Sequence, residues 1–228
     1  MTATSVAAAA NNAAWCDLVC RAAGLPTVTR PDLWSTPRRS PDAYPDAVTL
    51  RAGVRATDVL AAVDSSPGAS VKDSFADLDL TPHGFTLLFS ALWITRAAPS
   101  GRPTRTVLTW RVVDAATLPT WAAVHGPTAV GAAVLDDPAV RLLIATDAHG
   151  PLAVAALNRS GTGAGTVVGV SNVRVLRADA VTVWSDLQVV ARRELGPLPL
   201  VGYESGDDLD APRAIGFEPA GPLRVWTR

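Results

Sequence analysis

Arg141-Leu-Leu-Ile-Ala-Thr146, Asp147-Ala-His-Gly150, Leu152-Ala-Val-Ala-Ala-Leu157 and Thr166-Val-Val-Gly-Val-Ser-Asn-Val173 decide the fold. Two short apolar runs on either side of a turn sequence predict an antiparallel hairpin. A third run follows Gly161-Thr-Gly-Ala-Gly165, which joins two strands and so reads as a hairpin tip, not as a dinucleotide loop opening a helix. Val183, Leu187 and Val190 then fall at helical spacing. After them come a fourth run at Leu198-Pro-Leu-Val-Gly-Tyr203, a short acidic-capped helix, and Gly216-Phe217 leading into a terminal run. Upstream, Val107 to Val113 is strand-like, and Asp114 to Trp121 opens a helix whose Leu118, Trp121 and Val124 share a face. The order from Val107 is strand, helix, strand, strand, strand, helix, strand, helix, strand. Hairpin-linked strands followed by helical crossovers predict an α/β protein with a mixed, largely antiparallel central sheet flanked by helices.

The first half is less regular. Trp15, Leu18, Val19 and Ala22 mark one amphipathic helix that Asn11-Asn12 can cap and Gly24 and Pro26 end. The preceding alanines are expected to be a frayed terminus; they are too short and too poor in flanking Lys or Arg for a signal peptide. Residues 25–46 carry five prolines and should run extended, pinned by Trp34 and Tyr44. Ala47 to Leu50 predicts a strand, and Thr57 or Asp58 the start of a helix. Phe85 to Ile94 and Val107 to Val113, joined through Pro99-Ser-Gly-Arg-Pro103, are expected to form a long hairpin. The organisation expected is therefore an N-terminal α+β extension over 1–106, an eroded second copy of the fold or a lid packing Trp34 and Phe85 on the cleft, followed by a domain over 107–228.

The 228 residues are 48% hydrophobic with a formal net charge of −1. That is enough apolar material for one sizeable core, and too little positive charge to draw nucleic acid or an anionic membrane. No run approaches the roughly 18 apolar residues of a membrane span. The chain has one lysine, Lys72, among many arginines, which reads as the coding bias of a GC-rich genome. Cys16 and Cys20, four apart in a helix, are expected to be buried reduced thiols of a cytoplasmic protein. His83, His125 and His149 have no partners at metal-ligand spacing, so no metal is expected. Trp93, Trp110, Trp121 and Trp184 are expected in the core or lining a cleft.

The element order over residues 107–228 resembles that of the GNAT acyltransferases. The resemblance implies a sheet that splits beside the strand Thr166–Val175, with an acyl-CoA such as acetyl-CoA in the gap. It also implies a Gln/Arg-x-x-Gly-x-Gly/Ala loop, whose N–H groups hold the CoA pyrophosphate. Here that loop reads Arg174-Val-Leu-Arg-Ala-Asp-Ala-Val181 and has no glycine. Either Arg174 and Arg177 make phosphate contacts in its place, or Asp179 simply caps a packing helix.

Val170, Ser171, Asn172 and Val173 are the remaining cofactor-contact candidates, with a self-satisfied bulge as the alternative for Ser171-Asn172. The family's Tyr-x-x-x-Gly-Phe motif has Pro212 in the tyrosine position, so a proton donor must come from elsewhere. Tyr203 and Glu204 are the catalytic candidates. The alternatives are a structural phenol for Tyr203 and helix capping for the acidic residues beyond the strand. The function implied is N-acyl transfer from acyl-CoA to a small-molecule amine or peptide, or else a catalytically inactive GNAT-fold binding module for a metabolite or peptide. Open sheet edges would also allow a homodimer.

Overall fold

The structure, a computed structural model, describes residues 2–101 and 105–228. The chain opens with α1 (Ala3–Ala22), then β1 (Val28–Thr29), β2 (Leu33–Ser35), β3 (Ala47–Thr49), α2 (Ala56–Leu60), β4 (Ser70–Asp73) and β5 (Thr86–Arg96). It continues with β6 (Thr109–Val112), α3 (Leu118–His125), β7 (Val140–Asp147), β8 (Gly150–Ser160), β9 (Val167–Val175), α4 (Ala180–Leu195), β10 (Leu200–Glu204), α5 (Asp210–Ala214) and β11 (Glu218–Thr227). From β6 onward this is the order expected from the sequence.

All strands join one sheet in the order β1-β2-β3-β4-β11-β5-β10-β9-β8-β7-β6. Two neighbouring pairs are parallel, β3 with β4 and β9 with β10; the other pairs are antiparallel. The period of two along β7 and β8 sorts the core. Leu143, Ala145, Ala153, Ala155 and Leu157 face α4 and α5, where Val183, Trp184, Leu187 and Val190 of α4, Ala211 of α5 and Leu209 just before it close that side. Leu142, Ile144, Val154 and Ala156 face Trp15 and Val19 of α1 and Trp121 of α3. A strand buried on both faces reads as an unbroken apolar run, which is why 141–146 and 152–157 do not alternate.

The expected hairpin of β5 with β6 does not form. β6 is the edge strand, whereas β5 lies between β10 and β11 and pairs antiparallel with both. Trp93 and Ile94, 1% and 0% exposed, need cover that only the centre of the sheet provides. The sheet thus runs through both halves of the chain, and residue 106 falls in the segment joining β5 to β6. Arg102 and Pro103 of the expected turn lie outside the described residues. The edge strand is fixed instead by Asp186 of α4, whose buried carboxylate accepts Val107 N–H (2.8 Å), Leu108 N–H (2.7 Å) and Trp110 Nε1–H (3.1 Å). Such charge-assisted bonds are about twice as strong as neutral ones.

The N-terminal alanines are helical, not frayed. Thr2 caps α1, and alanine is the best helix former, so the helix begins about two and a half turns before the Asn11-Asn12 cap expected from the sequence. Asn11 and Asn12 are therefore mid-helix, and they face the sheet. Asn11 Nδ2 donates to Asn158 O and Ser160 Oγ, both at 2.9 Å, while Asn158 Nδ2 donates to Asn11 O at 3.2 Å. Trp34 and Phe85 form no lid: Trp34 packs with Ala13, Cys16, Cys20 and Val48, and Phe85 with Leu33, Leu80 and Trp226. Trp93, Trp110, Trp121 and Trp184 are core residues. Cys16 and Cys20 are free and buried. No helix among the described residues is long and apolar enough to cross a membrane.

Candidate active site

β9 and β10 pair only at Val168↔Leu200 and Gly169↔Val201. Beyond that point β9 keeps β8 on its other side and β10 keeps β5, so 170–175 and 202–204 face each other across an open V. The vertex is crowded, which is the reason for two glycines there. A Cβ on Gly202 would stand 2.8 Å from the Val170 carbonyl oxygen, and one on Gly169 would collide with the side chains of Asn11 and Asn158.

A bulge then turns β9 away. Ala156 opposes Ser171 but Val154 opposes Arg174, which leaves one extra residue on β9. Asn172 takes it up at φ 54° and donates from Nδ2 to Ser171 Oγ at 2.9 Å. Bulges bend and twist the strand that carries them. The polar Ser-Asn step is thus a self-satisfied bulge that also borders the cleft.

The V opens into a cavity of about 200 Å³. Its walls are Asn12, Trp15 and Cys16 of α1, Lys72 of β4, His125 with Pro127 and Thr128, Val170–Val173 of β9, and Tyr203 and Glu204 of β10. A loop from Ser40 to Pro45 roofs it with Ala43, Tyr44 and Pro45. Asp46 anchors that loop: its carboxylate, fully buried, pairs with Arg39 and accepts the N–H of Ser40 (2.6 Å) and Ser70 (2.9 Å). Ser40 Oγ donates in turn to Tyr44 O at 2.6 Å.

Burial pushes the Glu204 carboxyl up to about 8, and the negative charge of Asp208 adds to the shift. Burial holds His125 below its ordinary value against the opposing pull of Asn172; its ring stacks on Trp121 with centroids 5.0 Å apart. The Cys16 thiol is pushed up to about 11 by burial. Lys72 Nζ donates to Asn12 Oδ1 at 2.9 Å and sits 4.0 Å above the Tyr203 ring. Tyr203 meets Trp93 edge to face, with centroids 5.6 Å apart.

Of the residues singled out from the sequence, Val170, Ser171, Asn172, Val173, Tyr203 and Glu204 come together around this cavity. The two arginines do not. Arg177 is engaged by Asp147 at 3.0 Å and by Gly150 O and Pro151 O at 3.2 Å. Arg174 is exposed on β9, with its charge felt by His125 of α3. Sequence reading missed Asn12, Cys16, Lys72 and His125. Lys72 left a trace: it is the one lysine in a chain that otherwise uses arginine, and here it is 4% exposed. Among the described residues no group of three or more His, Cys, Asp or Glu is placed to hold a metal ion.

The coenzyme A implied by the resemblance fits one end of this cleft and not the other. The edge of β9 from Val170 to Val175 has no strand opposite it, and unpaired peptide groups suit an amide-bearing arm. The far end has no pyrophosphate cradle. Asp179 already caps α4, its carboxylate accepting Thr182 N–H at 2.7 Å and Thr182 Oγ1–H at 2.8 Å. No residue from 174 to 181 has a positive φ, and Asp179 places negative charge where the phosphates would lie. With Val183, Leu187 and Val190 buried, this is the capped packing helix that the sequence offered as one of two alternatives.

The chain matches no family model and no curated protein. Solved structures do resemble it. A GCN5-related N-acetyltransferase from Kribbella flavida is 16% identical, with 96% of this chain and 95% of that one covered, at a TM-score of 0.62. A putative acetyltransferase from the GNAT family of Novosphingobium aromaticivorans is 12% identical over 96% and 98%, at 0.61. Saccharomyces cerevisiae N-myristoyltransferase, solved with bound myristoyl-CoA, is 7% identical over 70% of this chain and 52% of that one, at 0.51. With the split between β9 and β10 and likeness to these acetyltransferases over nearly the whole chain, the protein has a GNAT-like fold.

Proposed function

We propose that the protein transfers an acyl group from an acyl-CoA, such as acetyl-CoA, to the amine of a small acceptor in the reducing cytoplasm, with Glu204 as the base. The observation that carries this reading is the half-buried carboxyl of Glu204 lining the cavity at the mouth of the split, where burial pushes its pKa up to about 8. A primary amine is protonated at neutral pH and cannot attack a carbonyl until a base takes its proton. A base that titrates near the working pH serves this step better than an ordinary carboxylate, which is too weak. The donor supplies a thioester, an acyl group activated toward amines.

The chain's own residues do the rest. The free edge of β9 and the Asn172 amide offer hydrogen bonds to the donor arm and the acyl carbonyl. The Tyr203 hydroxyl, with Pro212 in the family's tyrosine position, is the proton donor available to the leaving sulfur. A cavity of about 200 Å³ is below the roughly 300–1,000 Å³ usual for drug-sized ligands, which favours a small acceptor over a peptide. The free thiols of Cys16 and Cys20 accord with a reducing compartment.

A second reading, a catalytically inactive binding module for a metabolite or peptide, is favoured by the Asp179 cap. Melting with acetyl-CoA separates the two. A ligand at 100 times its dissociation constant adds about 2.7 kcal/mol. At about 2–4 °C per kcal/mol for a chain of this size, the midpoint should rise about 5–10 °C. An unchanged midpoint at millimolar acetyl-CoA would remove the acyl-CoA donor and leave the binding module.

A further inference from the structure

Lys72 is a buried cation without a counter-ion. Its Nζ donates to the neutral Asn12 amide oxygen and rests over the Tyr203 ring. None of the ion pairs among the described residues includes it. An ammonium has three N–H donors; one meets Asn12 and the ring face takes another, so the third has no protein acceptor among the described residues. Burying an uncompensated charge is costly, and the cost is recovered when an anion docks against it.

The surroundings do not neutralise the charge. Below about pH 8 Glu204 is mostly protonated. The Cys16 thiol and the Tyr44 phenol are held neutral by burial, and His125 is held neutral by its lowered pKa. With these groups uncharged, no side chain lining this cavity offers Lys72 a counter-charge. A second recess of about 410 Å³ adjoins it, shares Lys72 and Tyr203, and runs out along Leu88, Phe89 and Val225; its other charged walls are Arg39, which pairs with Asp46, and the exposed Asp42, which makes no ion pair with Lys72. Leu88 and Phe89 are 60% and 36% exposed, although both are large and apolar.

We propose that Lys72 docks a carboxylate, and that the acceptor is an α-amino acid whose apolar side chain runs along Leu88 and Phe89. This rests on the N-acyltransferase reading for the fate of the amine, but the carboxylate site stands on its own geometry. Lys72 brings a compact point charge with three donors, of which Asn12 takes only one by hydrogen bond, so a carboxylate can be met without displacing the ring contact.

The test uses L-leucine, L-leucinamide, which keeps the amine and loses the carboxylate, and isocaproate, which keeps the carboxylate and loses the amine. Binding to the full chain is measured by saturation-transfer NMR without any CoA. L-Leucine and isocaproate should bind, and L-leucinamide at least about tenfold more weakly, as expected for loss of a charge-assisted pair. In Lys72→Met the preference for L-leucine over L-leucinamide should vanish, and in Lys72→Arg, which keeps the charge, it should persist. Equal binding of L-leucine and L-leucinamide by the unaltered protein, or no binding of L-leucine at millimolar concentration, overturns the proposal without reference to any variant. Acylation of L-leucinamide as fast as L-leucine would overturn it while leaving the acyltransferase reading intact. L-Leucine binding that depends on Lys72, in a protein that transfers no acyl group, would support the site and defeat the acyltransferase reading.

Discussion

Glu204→Gln is expected to lower acyl transfer by about 10²–10⁴-fold, the usual contribution of a positioned general base. Gln keeps the volume of Glu204 but cannot accept a proton from an ammonium. The pH profile gives a sharper readout than the rate alone. Only the ionised carboxyl is a base, so the rate of the unaltered protein should climb as pH rises through about 8, and the variant should lose that limb. Stability should move the opposite way. The folded pKa lies above the ordinary value of 4.5, so ionising Glu204 opposes folding; the penalty is absent below pH 4.5 and complete above about 8. The variant should therefore melt above the unaltered protein at alkaline pH and level with it at acid pH. Equal rates for the two proteins across the range would remove Glu204 from the chemistry.

Gly169→Ala should be the most damaging small change in the sheet. Its Cβ would be driven into the side chain of Asn11, and Asn11 cannot swing away cheaply because its Nδ2 is committed to Asn158 O and Ser160 Oγ. Overpacking costs about 1–3 kcal/mol, and unsatisfied buried donors add about 1–3 kcal/mol. The sum of about 2–6 kcal/mol, at about 2–4 °C per kcal/mol for a chain of this size, corresponds to a melting point roughly 4–24 °C lower. Because Gly169 forms the last β9–β10 rung, this change should also loosen the vertex of the cleft. A melting curve that overlies the parent's would show that α1 does not press on β9 as described.

The second half of the chain was legible because its information is local. Apolar runs of fixed length, the Asp147-Ala-His-Gly150 turn and the Val183, Leu187, Val190 spacing each report on their own neighbourhood, and short connections then fix their order. The Ser171-Asn172 step could be recognised as unusual because an apolar strand has no reason to carry two polar residues in succession. The placement of β5 was not legible. Its partners, β10 and β11, lie over a hundred residues away, and no local pattern in the sequence announces them. The start of α1 was misread for another reason: an alanine run has no amphipathic period, yet Thr2 and intrinsic propensity suffice once β5, β10 and β11 provide a surface to cover. Half of the site wall was hidden in the same way. Asn12, Lys72 and His125 belong to three elements with no shared motif, and only the sheet brings them to Tyr203 and Glu204. The missing glycines after β9 were read from the sequence, and the Asp179 cap supplies their physical counterpart: the helix N-terminus is satisfied by its own carboxylate.

The central claim is that the open V between β9 and β10 is where the acyl donor and acceptor meet. Backbone amide chemical-shift mapping during titration with acetyl-CoA tests it most directly. The account predicts shifts concentrated at 170–175 and 202–204, with the amides at the N-terminus of α4 moving little because Asp179 keeps its cap. Shifts confined to another face of the sheet, or none at saturating acetyl-CoA, would contradict it.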